Sequence, residues 1–229
     1  MVHEPGQTAG RVGVRLGERG VDLVEVLISP RVGEPAGSFA APAPEAFDLV
    51  VTLGSRWNVH DKAPIAGWID DELAYLAAAD RAGVAVLGVC FGAQCLAAAL
   101  GGSVAEAPRS QIGWHPLVAH SGPLDGPWFE WHGDALTAPP GAEVLAEDEV
   151  GIQGFRLRRN LGVQFHPEVG VDHLRWWLDH GGAAALRADG IDPGALLAET
   201  ERREPDAFAR CDRLVDWFLD DVAAVAGAA

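Results

Sequence analysis

The stretch Val84-Ala-Val-Leu-Gly-Val-Cys-Phe-Gly-Ala-Gln-Cys-Leu-Ala-Ala-Ala-Leu100 carries the reading of the fold. Its opening, Val84 to Val89, is a short apolar run with the composition of a strand buried on both faces. Its close, from Ala93 to Leu100, has the composition of a helix. Between them Gly88-Val-Cys-Phe-Gly92 has the form of a strand-to-helix corner that lifts one side chain clear of the sheet. The two flanking glycines admit a backbone that bulkier residues resist. Cys90 then stands beside the first amides of the helix, whose partial positive charge favours an anion, so its thiol is expected to ionise more readily than a free one. Taken alone, the corner is equally compatible with a structural cysteine after a strand.

A second segment, Leu161-Gly-Val-Gln-Phe-His-Pro-Glu-Val169, reads as a strand ending in His-Pro-Glu. In extended chain, residues two apart face the same side, so His166 and Glu168 can share a pocket, with Pro167 holding the backbone extended between them. A carboxylate beside an imidazole fixes its tautomer and stabilises its protonated form. Most such neighbours are solvated surface pairs, but an elbow cysteine upstream gives this one a partner.

The pattern around these segments is that of strands alternating with helices. Val21–Ile28 and Asp48–Leu53 read as strands, the first followed by a Pro/Gly/Ala-rich connection over Ser29–Pro44. Pro64 opens a helix with Ile65, Trp68, Ile69, Leu73 and Leu76 at helical spacing. Such alternation predicts an α/β fold: a mainly parallel open sheet with crossover helices on both faces. Ligands of such sheets gather beyond the carboxyl ends of the strands, where Gly54, Cys90 and His166 fall. From Ser103 to Val150 the pattern changes to shorter strand-like pieces, expected to form a small antiparallel portion. Val169–His180 and Asp206–Val225 read as closing helices, the second placing Phe208, Cys211, Leu214, Val215, Phe218 and Val222 on one face. Cys211 and Cys95 are therefore expected in the core. No repeat or boundary divides residues 1–229, which are expected to form one domain.

Composition narrows the function. The net charge of −16 argues against nucleic acid or an anionic membrane as partner, since both demand basic surface. No apolar run approaches the ~20 residues that span a bilayer, and the start lacks a signal-peptide pattern. Three widely placed cysteines argue against a disulfide framework and suit a reducing compartment, so a cytoplasmic protein is expected. The chain has neither a phosphate loop nor a dinucleotide fingerprint, and its histidines do not show metal-ligand spacing, so no cofactor or metal is expected.

Together, Gly88–Gln94 and Gly162–Glu168 resemble the class I glutamine amidotransferases, of the stand-alone GMP-synthase-glutaminase-like kind. Leu53-Gly-Ser55, Gln111-Ile-Gly-Trp114 and Trp131-His-Gly-Asp134 are subsidiary likenesses. The resemblance implies a flavodoxin-like fold and hydrolysis of the glutamine side-chain amide to glutamate and ammonia. It maps the nucleophile onto Cys90, the general base onto His166 and the orienting carboxylate onto Glu168. The first oxyanion donor is expected at the backbone N–H of Phe91, just after the nucleophile. The resemblance puts the second at Ser55, where the family has glycine; Gly54-Ser55 is otherwise a plain turn. It also implies that Gly54, Gln94, one helical turn past Cys90, and His132, with Asp134, help hold the substrate. The alternatives are an ordinary helix residue at 94 and a solvated turn at 132–134.

The family's first helix matches Gly10–Gly20, normally preceded by a full buried strand, whereas here only Met1-Val-His3 precede Glu4-Pro-Gly6. Either that strand is very short or the natural start lies upstream. Two enzymatic readings stand: a glutaminase passing ammonia to a synthase on another polypeptide, or a hydrolase of γ-glutamyl compounds with the same three groups. A non-catalytic binding module is a third.

Overall fold

A computed structural model describes residues 1–224. Its centre is a five-stranded sheet in the order β1-β2-β7-β6-β5. It is built from β1 (Leu49–Thr52), β2 (Ala85–Val89), β5 (Glu143–Glu147), β6 (Ile152–Leu157) and β7 (Asn160–Val163). The first three in spatial order run parallel, with Val51 opposite Leu87 and Leu87 opposite Leu161. β6 and β5 continue the sheet antiparallel. Parallel neighbours need crossovers: α2 (Ile69–Arg81) joins β1 to β2, and the connection from β2 to β7 opens with α3 (Phe91–Ala99), while α1 (Gly10–Glu18) and α6 (Pro193–Trp217) come before β1 and after β7.

The alternation of β2 assigns those helices to faces. Ala85, Leu87 and Val89 point into one core with Val12 and Leu16 of α1 and Cys211, Leu214 and Val215 of α6. Val84 and Val86 point into the other, with Ile69 and Leu76 of α2 and Leu96 of α3. Both faces are covered, so β2 is buried along its whole length, as its uninterrupted apolar run demands. Each fully buried Leu or Val contributes roughly 1.5–3 kcal/mol relative to an exposed one. Cys95 and Cys211 lie in these cores, and burial pushes both thiols well up.

Several expectations need correction. Val21–Ile28 is not a ladder strand: it holds a single parallel bridge, Leu27 to Val2, supported by Val2 N–H to Val26 O and Ile28 N–H to Val2 O, both 2.9 Å. Leu23 and Val24 have no ladder partner among the described residues and are exposed beside a groove of about 1200 Å³. The region after Ser103 is not a set of short pieces. β3 (Val104–Leu117) and β4 (Gly126–Leu136) form one long antiparallel ribbon, with the register shifting between Glu106 and Gln111. Pro64 and Ile65 lie in a separate 3₁₀ turn, and α2 begins only at Ile69.

The helix expected over Val169–His180 is shorter, α4 (Val171–Trp177), followed by a π-type turn over Leu178–Gly182 and α5 (Ala183–Ala188). α6 starts well before Asp206, capped by Asp192, whose carboxylate accepts from Gly194 N–H at 2.8 Å. It passes into a π-type turn at Phe218–Val222, and Val225, the expected end, lies outside the described residues. Among the described residues no helix is long and apolar enough to cross a membrane.

Candidate active site

β2 delivers Cys90 to the corner. Cys90 takes φ 50° and ψ −110°, outside the regions ordinarily open to an L-residue, while Gly88 and Gly92 do not hold positive φ. The strain is thus on the cysteine itself, and the glycines serve close approach instead. A Cβ on Gly92 would lie 2.1 Å from Thr52 O, and one on Gly88 2.7 Å from Gly92 O. The backbone of the corner therefore presses against the end of β1. A strained backbone at a corner that aims one side chain into a cavity is typical of functional positions.

β7 delivers the second component, though not as an extended strand. The ladder ends at Val163 and the chain turns through Pro167–Glu168. The turn still brings the two side chains together: His166 Nδ1 donates to Glu168 Oε1 at 2.8 Å, with both residues buried. His166 N–H is itself held by Phe129 O at 2.8 Å. Burial alone would lower the imidazole's pKa; the neighbouring Cys90 sulfur and the Glu168 carboxylate outweigh it and raise the group well above 6.5. Burial likewise opposes ionisation of Glu168, but the His166 imidazolium wins and holds the carboxyl below 4.5.

Gly54, two residues past β1, closes the gap between these parts. A Cβ there would sit 2.8 Å from His166 Cε1 and 3.8 Å from Cys90 Cβ. Cys90, Phe91, Gly54, Ser55, Gln94, His132, His166 and Glu168 all line one pocket of about 420 Å³. All eight residues selected from sequence thus meet at one place.

Two tryptophans add to the walls: Trp131, from the Trp131–Asp134 segment read from the sequence, and Trp177, which carried no readable signal. Trp177 of α4 stands edge-on to His166 with ring centroids 5.0 Å apart, and Trp131 is edge-on to Trp177 at 5.7 Å. Trp131 also offers its carbonyl to the Cys90 thiol, Sγ to O 3.9 Å. Gln94 donates from Nε2 to Gln164 Oε1 at 3.1 Å, leaving its side chain fixed at the pocket wall. His132 donates from Nδ1 to Asp134 O at 2.8 Å and turns Nε2 toward buried Glu130, 3.4 Å away. Burial raises the Glu130 carboxyl above its ordinary range. Asp134 is not a solvated turn residue: it is buried and bonded to His60 Nδ1 at 2.6 Å. His60, His3 and Glu72 pair across about 50 to 75 positions, a distance at which local periodicity carries no information.

The family model described as "Glutamine amidotransferase class-I" matches residues 59–173, about half of the chain, including Cys90, His166 and Glu168. Among similar proteins is a GMP synthase [glutamine-hydrolyzing] of Thermus thermophilus, 42% identical over 116 residues, covering 44% of this chain and 23% of that protein. Another is the GMP synthase [glutamine-hydrolyzing] of Mycolicibacterium paratuberculosis, 42% identical over 146 residues, 56% of this chain and 28% of that one. The matches thus span about a quarter of the length of these relatives. Among solved structures, a glutamine amidotransferase of Thermotoga maritima superposes with a TM-score of 0.80 at 25% identity, covering 96% of both chains. A glutamine amidotransferase of Methylobacillus flagellatus, at 21% identity, shares the fold with a TM-score of 0.76 over 96% of this chain and 92% of that one. The family match runs through the strained corner and the His166–Glu168 turn, and the likeness in fold extends over nearly the whole chain; this chain is an enzyme of the class I glutamine amidotransferase family.

Proposed function

We propose that the protein hydrolyses the side-chain amide of glutamine through a thioester on Cys90. The carrying observation is the convergence of Cys90, on a strained corner, with a buried His166–Glu168 pair bonded at 2.8 Å. The Cys90 thiolate attacks the γ-carbonyl carbon, forming the S–C bond and placing negative charge on oxygen. The backbone N–H groups of Phe91 and Ser55 stabilise that oxyanion. Collapse breaks the C–N bond as His166 gives its Nε2 proton to departing ammonia. Water then adds to the thioester carbon while His166 takes its proton. Collapse of the second tetrahedral species breaks the S–C bond, releasing glutamate and restoring thiolate and imidazolium. Glu168 keeps the Nδ1 proton of His166 in place, so that Nε2 faces the reaction. Gly54, Gln94 and His132 hold the substrate. The three cysteines are free, which suits work in the cytoplasm.

The ammonia is taken up by a synthase active site outside residues 1–229, and the GMP synthase relatives make that acceptor chemistry a candidate. A second reading, hydrolysis of larger γ-glutamyl compounds, draws support from the pocket. At about 420 Å³ it falls in the range of sites for drug-sized ligands, roughly 300–1,000 Å³. Free glutamine leaves much of that space for a group on the amide nitrogen. Ammonia or amine release across glutamine, γ-glutamyl amides and γ-glutamyl peptides tests both. Preference for glutamine supports the first reading, preference for the substituted amides the second, and inertness toward all of them contradicts both.

A further inference from the structure

Behind the pocket, on the side away from solvent, lies a buried group of polar side chains that the reaction above does not use. His3, Thr52 and Glu72 are each no more than 1% exposed. Glu72, in the first turn of α2, accepts from Thr52 Oγ1 at 3.0 Å and lies 3.2 Å from His3 Nε2. The other ring nitrogen of His3, Nδ1, lies 3.0 Å from the carbonyl oxygen of Gly54. A carbonyl can only accept, so Nδ1 carries the proton whichever way the proton between Nε2 and Glu72 is placed. The ring is clamped in this pose, edge-on to Phe91 with centroids 4.9 Å apart and 5.6 Å from Trp68. Its backbone is tied down as well, by Gln7 Oε1 on its N–H and by Ser29 N–H on its carbonyl.

Burying an imidazole and a carboxylate is costly, and an apolar pair of similar size is often as stable, so core packing alone does not account for them. The Gly54 carbonyl supplies an account. It belongs to the same peptide unit as the Ser55 N–H, and in a trans peptide the two groups point in opposite directions; the chain has no cis peptide among its described residues. Drawing the Gly54 oxygen back onto His3 turns the Ser55 N–H the other way, toward the side where Gly54 faces Cys90 and His166. Serine, unlike glycine, resists many backbone conformations, so the orientation of this peptide needs an external hold. His3 also touches Phe91, which carries the other oxyanion donor.

The geometry points to His3, braced by Glu72 and Thr52, as the positioning residue of the oxyanion hole: it locks the Gly54–Ser55 peptide with its N–H turned into the pocket. This rests on the amide-hydrolase reading above for its catalytic consequence, but not for its structural one. Because His3 does not touch the substrate, its loss acts on the transition state through Ser55. Removing one oxyanion donor lowers kcat by roughly 10²–10³-fold.

The test compares His3→Ala, His3→Asn and Glu72→Gln with the unaltered protein. In His3→Ala, kcat for ammonia release falls by about 10²-fold or more with KM little changed. Alkylation of Cys90 by iodoacetamide, a displacement at sp³ carbon that forms no oxyanion, keeps its rate. His3→Asn, whose Nδ2 can replace Nδ1 as donor to Gly54, recovers much of the loss. A crystal structure of His3→Ala shows the Gly54–Ser55 peptide turned or in two orientations, and that of His3→Asn shows it as here. Alkylation falling in parallel with kcat would mean a general disturbance of the site and would overturn the proposal. So would an unmoved peptide in His3→Ala. If His3→Ala does not fold, the same comparison runs on His3→Asn against Glu72→Gln: loss of kcat in the second with kept alkylation supports the assignment, equal kcat in all three refutes it. Should the unaltered protein not turn over any γ-glutamyl amide, the hydrolase reading fails, and the peptide orientation in the variant crystals still decides this inference.

Discussion

His166 donates from Nδ1 to Oε1 of Glu168 at 2.8 Å in a setting closed to water on nearly every side. The pair links catalysis to pH-dependent stability. Glu168, held below 4.5, contributes stability that is present above about 4.5 and lost as pH falls through its folded value. His166, raised well above 6.5, contributes stability that is present below 6.5 and lost as pH rises through its folded value. The interval between is where the pair stabilises the fold most. Urea denaturation of the wild type and His166→Gln at pH 4, 6 and 9 should show the largest difference at pH 6. A difference that does not vary with pH would contradict the coupling.

The same pair predicts an order of mutational effects. His166→Ala removes the proton carrier and should cost roughly 10²–10⁴-fold in kcat. Glu168→Gln keeps an acceptor for Nδ1–H and should cost less. Steady-state kinetics of the two variants give the order, and a larger loss at Glu168 would reverse the roles assigned.

Gly54 leaves no space for a side chain. A methyl group at this position meets His166 Cε1 at 2.8 Å and must push the imidazole aside. A displacement near 1 Å at a reacting group can cost about 10²-fold. Gly54→Ala should therefore lose about 10²-fold in kcat while its melting temperature changes little, since Gly54 is at the pocket wall rather than within either core. Unaltered kcat would show that the ring has room to yield.

Phe165 binds the site to the core. It is fully buried and stacked on Trp128 with centroids 4.3 Å apart, and it directly precedes His166. Phe165→Ala should destabilise the fold by about 3–5 kcal/mol, read from chemical denaturation. A loss below about 1 kcal/mol would mean that this ring is not packed as described.

The parts that were legible in the sequence are those whose cause is local. The strand, corner and helix of Val84–Leu100 follow from composition over a few residues, and so does the alternating architecture. The proximity of His166 and Glu168 was legible for a reason that proved incomplete, since a turn rather than extended chain joins them. Val21–Ile28 has a strand's composition, but pairing depends on an edge that its own residues do not encode. The β3–β4 ribbon was obscured by Pro108, Pro116 and Pro127, which interrupt its pattern yet are tolerated in a two-stranded edge. The early start of α6 was hidden by Pro205 and by a charged first half with few buried positions. His60–Asp134 and His3–Glu72 join residues about 70 positions apart, and only the folded chain reveals them.

The central claim is that Cys90 is the nucleophile of an amide hydrolase, and ammonia release from glutamine by Cys90→Ala tests it most directly. The account predicts no turnover above background in a variant that melts like the wild type, and a covalent γ-glutamyl adduct on Cys90 of the unaltered protein after rapid acid quench. Ammonia release retained in Cys90→Ala, or an adduct found on another residue, would contradict it.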